Sequence, residues 1–149
     1  MRTPSQVVEL VRRMVAGEPV VFADLFAVDG VLEYPFAMPG QPPVLRGREA
    51  IRHHFAAAAE LGRPFVQDEV TATVRQTDDP EVVVTEIEHH GRSLLTGEPY
   101  RFLALGVVRV RHGEIVSYQD YMDPVAAARL LGRTDDLVAA LVHEQGSAA

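Results

Sequence analysis

The sequence predicts an α+β fold in which three N-terminal helices pack against a cone-shaped, curved antiparallel or mixed sheet and enclose a pocket. Apolar residues recur at helical spacing through most of the chain before Phe65, whereas the period becomes two from Phe65 onward. The predicted strands are also long, since a run of 12 residues spans about 40 Å. Such strands must bend, and Gly106 is a natural place for a bend.

Three helices and one short strand are expected before Phe65. The first helix is capped by Thr3 or Ser5 and ends at Gly17, after apolar residues spaced three and four apart. The elements that follow are a short helix over residues 20–26, a strand over 31–34, a proline-rich loop over 35–43 and a third helix over 47–62.

Four extended segments and a helical tail complete the predicted fold. The segments cover residues 65–77, 81–92, 99–112 and 114–122. Beyond Pro124, two short helices are expected on either side of Gly132. No linker or repeat divides the chain, so residues 1–149 are expected to form a single domain.

Composition excludes several classes of function. The 14 Lys and Arg residues against 21 Asp and Glu residues leave a net charge of −7, without a basic cluster, which disfavours nucleic acid and anionic membranes as partners. The absence of cysteine excludes thiolate catalysis and Cys-ligated metals. Because no signal peptide or membrane span is visible, the chain is expected to be cytoplasmic. We also expect it to need no cofactor and to act on a small molecule.

The last strand contains the first catalytic candidate. Alternation places Tyr118, Asp120 and Met122 on one face together with Val116, so a carboxylate stands in a mostly apolar row. If this face is the inner one, burial raises the pKa of Asp120 from about 3.9 toward neutrality and permits general acid/base catalysis. Tyr118 and Met122 would then contact the substrate. The alternative is a structural carboxylate bound by a backbone amide or an arginine.

His54 is the second candidate. At 100° per residue it lies on the apolar face of the third helix, which also carries Phe55. An imidazole titrates in the physiological range without any perturbation, so His54 is predicted to exchange protons with the same substrate as Asp120. Phe55 is predicted to contact that substrate. The alternative is a core histidine without a catalytic role.

A third group of candidates alternates along the segment at residues 81–92. Glu86, Glu88 and His90 share one face, and the opposite face carries the residues between them, Val83, Thr85, Ile87 and His89. If the acidic set faces inward, repulsion between two carboxylates raises one pKa and creates a general acid. The cost of burying two acids favours an outer face, but Glu86 is kept as a catalytic candidate, with Glu88 and His90 as substrate contacts.

The pocket mouth is predicted near the proline-rich loop. Tyr34, Phe36 and Met38 are expected to bind substrate there, and the alternative for Tyr34 is a packing role. No metal site is predicted, because adjacent histidines, as in His53-His54 and His89-His90, point in different directions. No nucleophile elbow or phosphate-binding loop is visible either, which disfavours covalent catalysis.

Several short segments also resemble a known superfamily. They are Val31-Leu32-Glu33-Tyr34-Pro35, Gly47-Arg48-Glu49-Ala50-Ile51, Thr96-Gly97-Glu98-Pro99-Tyr100, and Gly113-Glu114-Ile115-Val116 leading to Asp120-Tyr121-Met122-Asp123-Pro124. With the order of elements, they resemble the nuclear transport factor 2-like superfamily, which includes SnoaL-like and ketosteroid isomerase-like proteins, over about residues 5–131. The resemblance implies the fold but not one reaction.

Among the subfamilies, the phenazine biosynthesis A/B proteins fit best. The base and the two oxyanion donors of ketosteroid isomerases would fall on Tyr34, Leu10 and Gly106, so that constellation is missing. Limonene-epoxide hydrolases match at Asp120, but their other two catalytic residues would fall near Ile87 and His89. The phenazine A/B proteins match at His54 and at the segment around Asp120, which implies acid/base chemistry in specialised metabolism.

These observations predict a cofactor-independent isomerase, cyclase or condensing enzyme that acts on an apolar carbonyl compound. One alternative is a hydrolase or dehydratase in which Asp120 activates water. Another is a non-catalytic ligand-binding or dimerising module. The apolar residues Leu103, Leu105 and Val107 on one face of the sheet predict a homodimer, as is common in the superfamily that the chain resembles.

Overall fold

The computed structural model describes the backbone of residues 1–148 and the side chains of residues 1–143. The elements in chain order are α1 (Pro4–Val15), a 3₁₀ helix (Phe22–Leu25), β1 (Phe26–Glu33), β2 (Val44–Arg46), α2 (Arg48–Leu61), β3 (Phe65–Gln76), β4 (Val82–Ser93), β5 (Pro99–Arg111), β6 (Glu114–Met122), α3 (Pro124–Leu131) and α4 (Thr134–Ala148). Helices and strands are segregated along the chain, which confirms the predicted α+β class.

The six strands form one mixed sheet in the order β2-β1-β6-β5-β4-β3. β1 and β6 pair in parallel, and every other neighbouring pair is antiparallel. The pairing brings the C-terminal strand β6 to the centre, between the N-terminal β1 and the long strand β5. Residues of β6 are therefore flanked by sheet on both sides.

The strand pairing is irregular at several points but regular at Gly106. The register shifts between Gln67 and Glu69 on β3, and between Arg109 and Val110 on β5, whereas Gly106 pairs regularly with its neighbours on β4 and β6. Bulges of this kind increase the local twist of a sheet. The second shift turns Ile115, rather than the predicted Val116, toward the core, where it is fully buried.

Helix boundaries follow from local signals in the sequence. Thr3 and Gln6 form a reciprocal capping box at the start of α1. The carboxylate of Asp123 caps α3 by accepting hydrogen bonds from two backbone N–H groups, and Gly132 ends the helix in the left-handed conformation. Asp123 thus directs the chain out of β6 and into a helix that packs across the end of the sheet.

Two apolar clusters fill the interior. The larger one joins α1, the 3₁₀ helix and α2 to the sheet around fully buried residues such as Phe26 and Ile51, each of which stabilises the fold by about 1.5–3 kcal/mol. The smaller cluster lies beneath α3 and consists of Met38, Phe102, Ala127, Ala128 and Leu130. Met122 packs against both clusters. We call the face of the sheet toward these clusters the inner face and the opposite one the outer face.

The structure differs from the predicted elements in three places. The helix predicted at residues 20–26 is only the 3₁₀ turn at 22–25, and Phe26 already belongs to β1. The proline-rich loop is followed by the short strand β2, which the sequence did not indicate. The last helix is longer than predicted. Within the described residues, no helix combines the length and apolar character needed to cross a bilayer.

Candidate active site

Asp120 lies on the inner face of β6, between the two apolar clusters. Its neighbours along the strand on that face are Tyr118, in the larger cluster, and Met122, which contacts both. The residue as a whole is half-buried, but its Oδ1 atom is shielded from solvent and has no hydrogen-bond partner among the residues that the structure describes. Burial raises the pKa of Asp120 to about 7. The carboxyl group can therefore both accept and donate a proton near neutral pH.

Two buried phenols surround this carboxyl group. Tyr34, just beyond the end of β1, and Tyr118 are both withdrawn from solvent. Burial raises the pKa of each phenol above its ordinary value, and the negative charge of Asp120 raises it further. Both tyrosines consequently remain protonated when Asp120 ionises, and both hydroxyls are available as hydrogen-bond donors close to a titrating carboxylate.

Gly106 determines where the Tyr118 hydroxyl lies. Gly106 pairs with Asp120 on one side and with Thr85 on the other. A Cβ atom at Gly106 would stand 3.1 Å from Cε1 and 3.2 Å from the hydroxyl of Tyr118, and 2.9 Å from Cγ2 of Thr85. The phenol therefore lies across the glycine, in a space that any other residue would fill.

Thr85 adds an unpartnered hydroxyl to the same row of the sheet. The side chain is fully buried on β4, and its Oγ1 atom has no hydrogen-bond partner in the described part of the chain. A buried hydroxyl without a partner costs about 1–3 kcal/mol, so such groups are uncommon in folded proteins. Thr85 and Asp120 lie on either side of Gly106, and each carries a buried oxygen atom without a hydrogen-bond partner among the described residues.

His54 is not joined to Asp120. The imidazole is half-buried on α2 and packs edge-on against Phe55, with 5.2 Å between ring centroids. Phe55 contacts Phe22, which in turn contacts Tyr118, so only a chain of aromatic rings connects the histidine to the carboxylate. Among the described residues, no hydrogen bond or ion pair links the two groups. Phe55 is partly buried against the larger cluster, and its predicted contact with substrate stays a prediction.

Glu86, Glu88 and His90 lie on the outer face, which the cost of burying two acids favoured, so they do not line the interior as their roles as site candidates require. Glu86 forms an ion pair with Arg75 at 3.3 Å, while Glu88 binds Arg101 and lies 3.3 Å from Nε2 of His90. Hydrogen bonding to Arg101 lowers the pKa of Glu88. The opposite set of residues is apolar at Val83 and Ile87 and packs into the core, because burying it costs far less than burying two acids.

The predicted mouth residues separate into different environments. Phe36 is 59% exposed and packs against Tyr121, which alternation along β6 places on the outer face, so Phe36 does not line the interior. Met38 is buried in the smaller cluster beneath α3, rather than at an open mouth. Met122 and Tyr118 do face inward on either side of Asp120.

The structure also reveals a polar pair that the sequence alone did not single out. His89 is buried on the inner face of β4, and its Nδ1 atom lies 2.9 Å from the hydroxyl of Tyr100. Burial lowers the pKa of His89 to about 4, with Arg63 and His90 contributing, so the imidazole is neutral at pH 7. The alternation with Val83, Thr85 and Ile87 was the signal that could have identified it.

In the part of the chain that the structure describes, no group of three or more His, Asp or Glu side chains could hold a metal ion. The carboxyl group of Asp120 has phenols and apolar side chains as its neighbours on the inner face. The site is thus equipped for proton transfer by protein side chains.

Comparison with known proteins agrees with this architecture. Residues 7–118 match the model of the SnoaL-like domain. The chain belongs to the SnoaL-like family. It is 30% identical over 139 residues to the uncharacterized PhzA/B-like protein PA3332 of Pseudomonas aeruginosa, covering 89% of this chain and 92% of that protein. The family assignment confirms the predicted superfamily and the phenazine A/B-like resemblance.

Solved structures share the fold. A Bacillus subtilis protein provisionally assigned as an isomerase superposes with a TM-score of 0.72 at 26% identity, over 90% of this chain and 98% of that one. A Pseudomonas putida protein provisionally assigned as a polyketide cyclase superposes with a TM-score of 0.63 at 19% identity, over 88% and 98% of the two chains. The fold is thus shared with proteins provisionally assigned as an isomerase and a polyketide cyclase.

Proposed function

We propose that this SnoaL-like protein is a cofactor-independent acid/base enzyme that moves a proton on a small, apolar carbonyl compound. The observation that carries the proposal is the carboxyl group of Asp120, which is buried without a partner for Oδ1 and has a pKa raised to about 7. A carboxylate kept only for stability has its oxygen atoms hydrogen-bonded or paired with a cation. Asp120 instead retains an oxygen free to bind a proton.

The proposed reaction needs no additional reactant. Ionised Asp120 removes a proton from the carbon next to the substrate carbonyl, and the electron pair of the broken C–H bond moves into an enolate. The hydroxyls of Tyr34 and Tyr118 donate hydrogen bonds to the enolate oxygen, where negative charge develops. Asp120 then returns the proton at another carbon in an isomerisation. In a cyclisation or condensation, the enolate carbon instead attacks a second carbonyl group, whose oxygen receives the proton.

Family membership supports the type of reaction. The similarity to a protein assigned as an isomerase, to one assigned as a polyketide cyclase and to a PhzA/B-like protein favours enolate chemistry in specialised metabolism. The closed, aromatic surroundings of Tyr118 favour an apolar substrate, since a strongly hydrated one would lose its water on entry.

Activation of water is the second candidate function. The unpartnered oxygen atoms of Thr85 and Asp120 stand on one row of the sheet, and a water molecule requires two or more such partners. A hydrolase would use Asp120 to deprotonate that water, whose oxygen then attacks the substrate, whereas a dehydratase would use protonated Asp120 to release a substrate hydroxyl as water. Incorporation of ¹⁸O from labelled water into a stable product supports hydrolysis, whereas an isomerase product retains its original oxygen.

The test combines a titration with a simple exchange reaction. The ¹³Cγ resonance of Asp120 is followed by NMR from pH 4 to 9, and deuterium exchange at the α-carbons of 2-tetralone in D₂O is measured by ¹H NMR. We expect a midpoint near the raised pKa of about 7 and an exchange rate at least 100-fold lower in Asp120→Asn than in the wild type.

Glu86→Gln is the matched control, because it removes the charge of a carboxylate on the outer face. This variant should exchange 2-tetralone at the wild-type rate. Equal rates for Asp120→Asn and the wild type, or a titration midpoint near 4, would contradict the proposed function and favour a protein that binds ligands without catalysis.

We further propose that two copies associate through the outer face. Leu103 and Leu105 are 43% and 38% exposed there, and Phe36 and Tyr121 pack together on the same face. A surface with this many apolar side chains favours a protein partner. Sedimentation velocity at micromolar concentration should give a dimer, and Leu105→Glu should give a monomer; a wild-type monomer would contradict the dimer.

A further inference from the structure

The inner face has a second polar position, far from Asp120. His89 pairs with Phe102 on β5, and Asp120 pairs with Gly106 on the same strand. Four residues of an extended strand span roughly 13 Å. Between the two polar positions runs an apolar row made of Ile87, Ala104 and Met122. The inner face thus has a polar group at each end and an apolar floor between them.

The imidazole of His89 is held in a defined orientation. Phe65 stacks on it with 5.7 Å between centroids, and Phe102 lies on it at 5.2 Å. Nδ1 forms its hydrogen bond with the hydroxyl of Tyr100. When that hydroxyl donates, Nδ1 is the acceptor and the neutral ring carries its proton on Nε2.

The Nε2 atom is unused by the protein. It has no hydrogen-bond partner among the residues that the structure describes, although the residue is only 8% exposed. It is also not sealed off from solvent, unlike the unpartnered oxygen atoms of Thr85 and Asp120. A donor fixed by aromatic rings, unpartnered and still accessible, is suited to bind an acceptor atom of a ligand.

Charged side chains lie near this pair. Burial and then Arg63, which lies over the ring of Phe65, lower the pKa of His89, whereas burial raises the pKa of Tyr100, with smaller opposing contributions from Arg63 and Asp68. His90 contributes to the lowered pKa of His89 from the outer face. The His89 ring is itself buried and neutral, so its N–H can bind an uncharged acceptor such as a ketone without the cost of burying a carboxylate or phosphate.

We propose that the substrate is an elongated, mostly apolar molecule with a second, uncharged acceptor oxygen, such as a ketone, which the Nε2–H of His89 binds at the end remote from Asp120. Tyr100 acts as a positioning residue that selects the tautomer. This inference rests on the proposed function in one respect, that the other end of the molecule reacts at Asp120. Binding of the second oxygen depends on His89 alone.

Biphenyl probes of matched shape test the recognition. 4-Acetyl-4′-hydroxybiphenyl carries a phenol, which resembles an enol, and a ketone at the opposite end, whereas 4-hydroxybiphenyl lacks the ketone. Isothermal titration calorimetry compares their affinities. We expect the wild type to bind the acetylated probe about tenfold more tightly, the usual effect of one buried hydrogen bond.

Variants at residue 89 distinguish a binding group from a packing residue. His89→Phe preserves an aromatic ring without a donor, so it should bind both probes equally while its affinity for 4-hydroxybiphenyl stays within twofold of the wild type. His89→Gln retains an N–H donor and should restore part of the preference. Tyr100→Phe should reduce the preference and shift the ¹⁵N resonances of His89 toward a mixture of tautomers.

The outcomes separate this inference from the proposed function. Asp120→Asn should lower the affinity for both probes but preserve the preference for the acetylated one. The role of His89 therefore stands even if Asp120 proves not to be catalytic. A wild type that binds both probes equally, binds neither, or keeps its preference in His89→Phe would overturn the inference. If His89→Phe does not fold, the comparison of His89→Gln with Tyr100→Phe decides it in the same way.

Discussion

The carboxylates on the two faces of the sheet have opposite properties. On the outer face, a hydrogen bond from Arg101 lowers the pKa of Glu88, and in the turn before β4, hydrogen bonds from Arg111 and Arg109 lower the pKa of Glu81 to about 2. On the inner face, burial raises the pKa of Asp120 to about 7. The same functional group is thus permanently ionised on one face and ready to exchange a proton on the other. The difference shows that burial and the presence or absence of a cationic partner, rather than residue type, set the pKa at which a carboxylate exchanges its proton.

The largest expected effect concerns stability as a function of pH. The pKa of Asp120 is raised from 3.8 to about 7 on folding, so its protonated form stabilises the fold below pH 4 and this stabilisation is lost as the pH rises through 7. Between pH 5 and pH 8, the free energy of unfolding of the wild type should fall by about 3 kcal/mol relative to Asp120→Asn.

Urea denaturation at both pH values measures this difference. The lowered pKa of Glu81 contributes nothing to it, because a depressed carboxylate loses its stabilising effect only as the pH falls toward 2. If the free energies of unfolding of the wild type and Asp120→Asn change in parallel between pH 5 and pH 8, folding does not raise the pKa of Asp120. The contrast between this carboxylate and those paired with arginine would then be wrong.

The next effect concerns the phenols, which occur on both faces of β6. Tyr118→Phe removes a hydroxyl beside Asp120 and should lower the rate of 2-tetralone exchange about 100-fold, because a donor to the developing negative charge is lost. Tyr121→Phe removes a hydroxyl from the next residue, which faces outward, and should leave the rate unchanged. Similar losses in both variants would show that the inner position has no special role.

Gly106 tests whether the position of Tyr118 matters as well as its presence. A Cβ atom at this residue would lie 3.1 Å from the Tyr118 ring and 2.9 Å from the Thr85 methyl group. Gly106→Ala should therefore displace the phenol and reduce the exchange rate about tenfold, while circular dichroism shows the fold retained. A rate equal to that of the wild type would mean that the hydroxyl tolerates displacement.

Thr85 offers a smaller and opposite effect. Because its buried hydroxyl lacks a partner, Thr85→Val should raise the free energy of unfolding by about 1 kcal/mol, as measured by urea denaturation. Thr73→Val is the matched control on the exposed face of β3 and should change stability less. A destabilised Thr85→Val protein would show that the hydroxyl has a partner in solution, such as the water of the second candidate function.

The smallest effect is expected at Glu88 on the outer face. Glu88→Gln removes the ion pair with Arg101, and we expect a slight loss of stability that disappears at high salt, together with an unchanged exchange rate. Thermal denaturation at low and high ionic strength provides the measurement. A large loss of activity would contradict the division of roles between the two faces.

Several of these features could be predicted without coordinates. The change of period at Phe65 indicated the α+β class, and alternation along the last strand grouped Asp120 with Tyr118 and Met122. Those inferences depend only on residues of one segment. The direction of successive side chains along a helix or strand follows from backbone geometry that helices and strands share across proteins.

Other features depended on contacts between segments. Alternation along β4 defined two sets of residues but not which one faces the helices. The cost of burying two acids favoured the outer face, where Glu86 does lie, so Glu86 does not line the interior as a catalytic role requires. His54 was assigned to the correct helix, yet its distance from Asp120 depends on how α2 packs against the sheet. Likewise, the position of the Tyr118 phenol across Gly106 requires the register of β5 against β6.

The sequence by itself therefore determined the class of fold, the approximate strands and the carboxylate that stands in an apolar row. Only the tertiary structure decided that this carboxylate lacks a cationic partner among the described residues, that two phenols lie beside it, that His54 on α2 is not joined to it and that His89 occupies the inner face of the sheet. The physical reason is that periodicity is a property of one segment, whereas burial and pKa depend on which other segments come within contact.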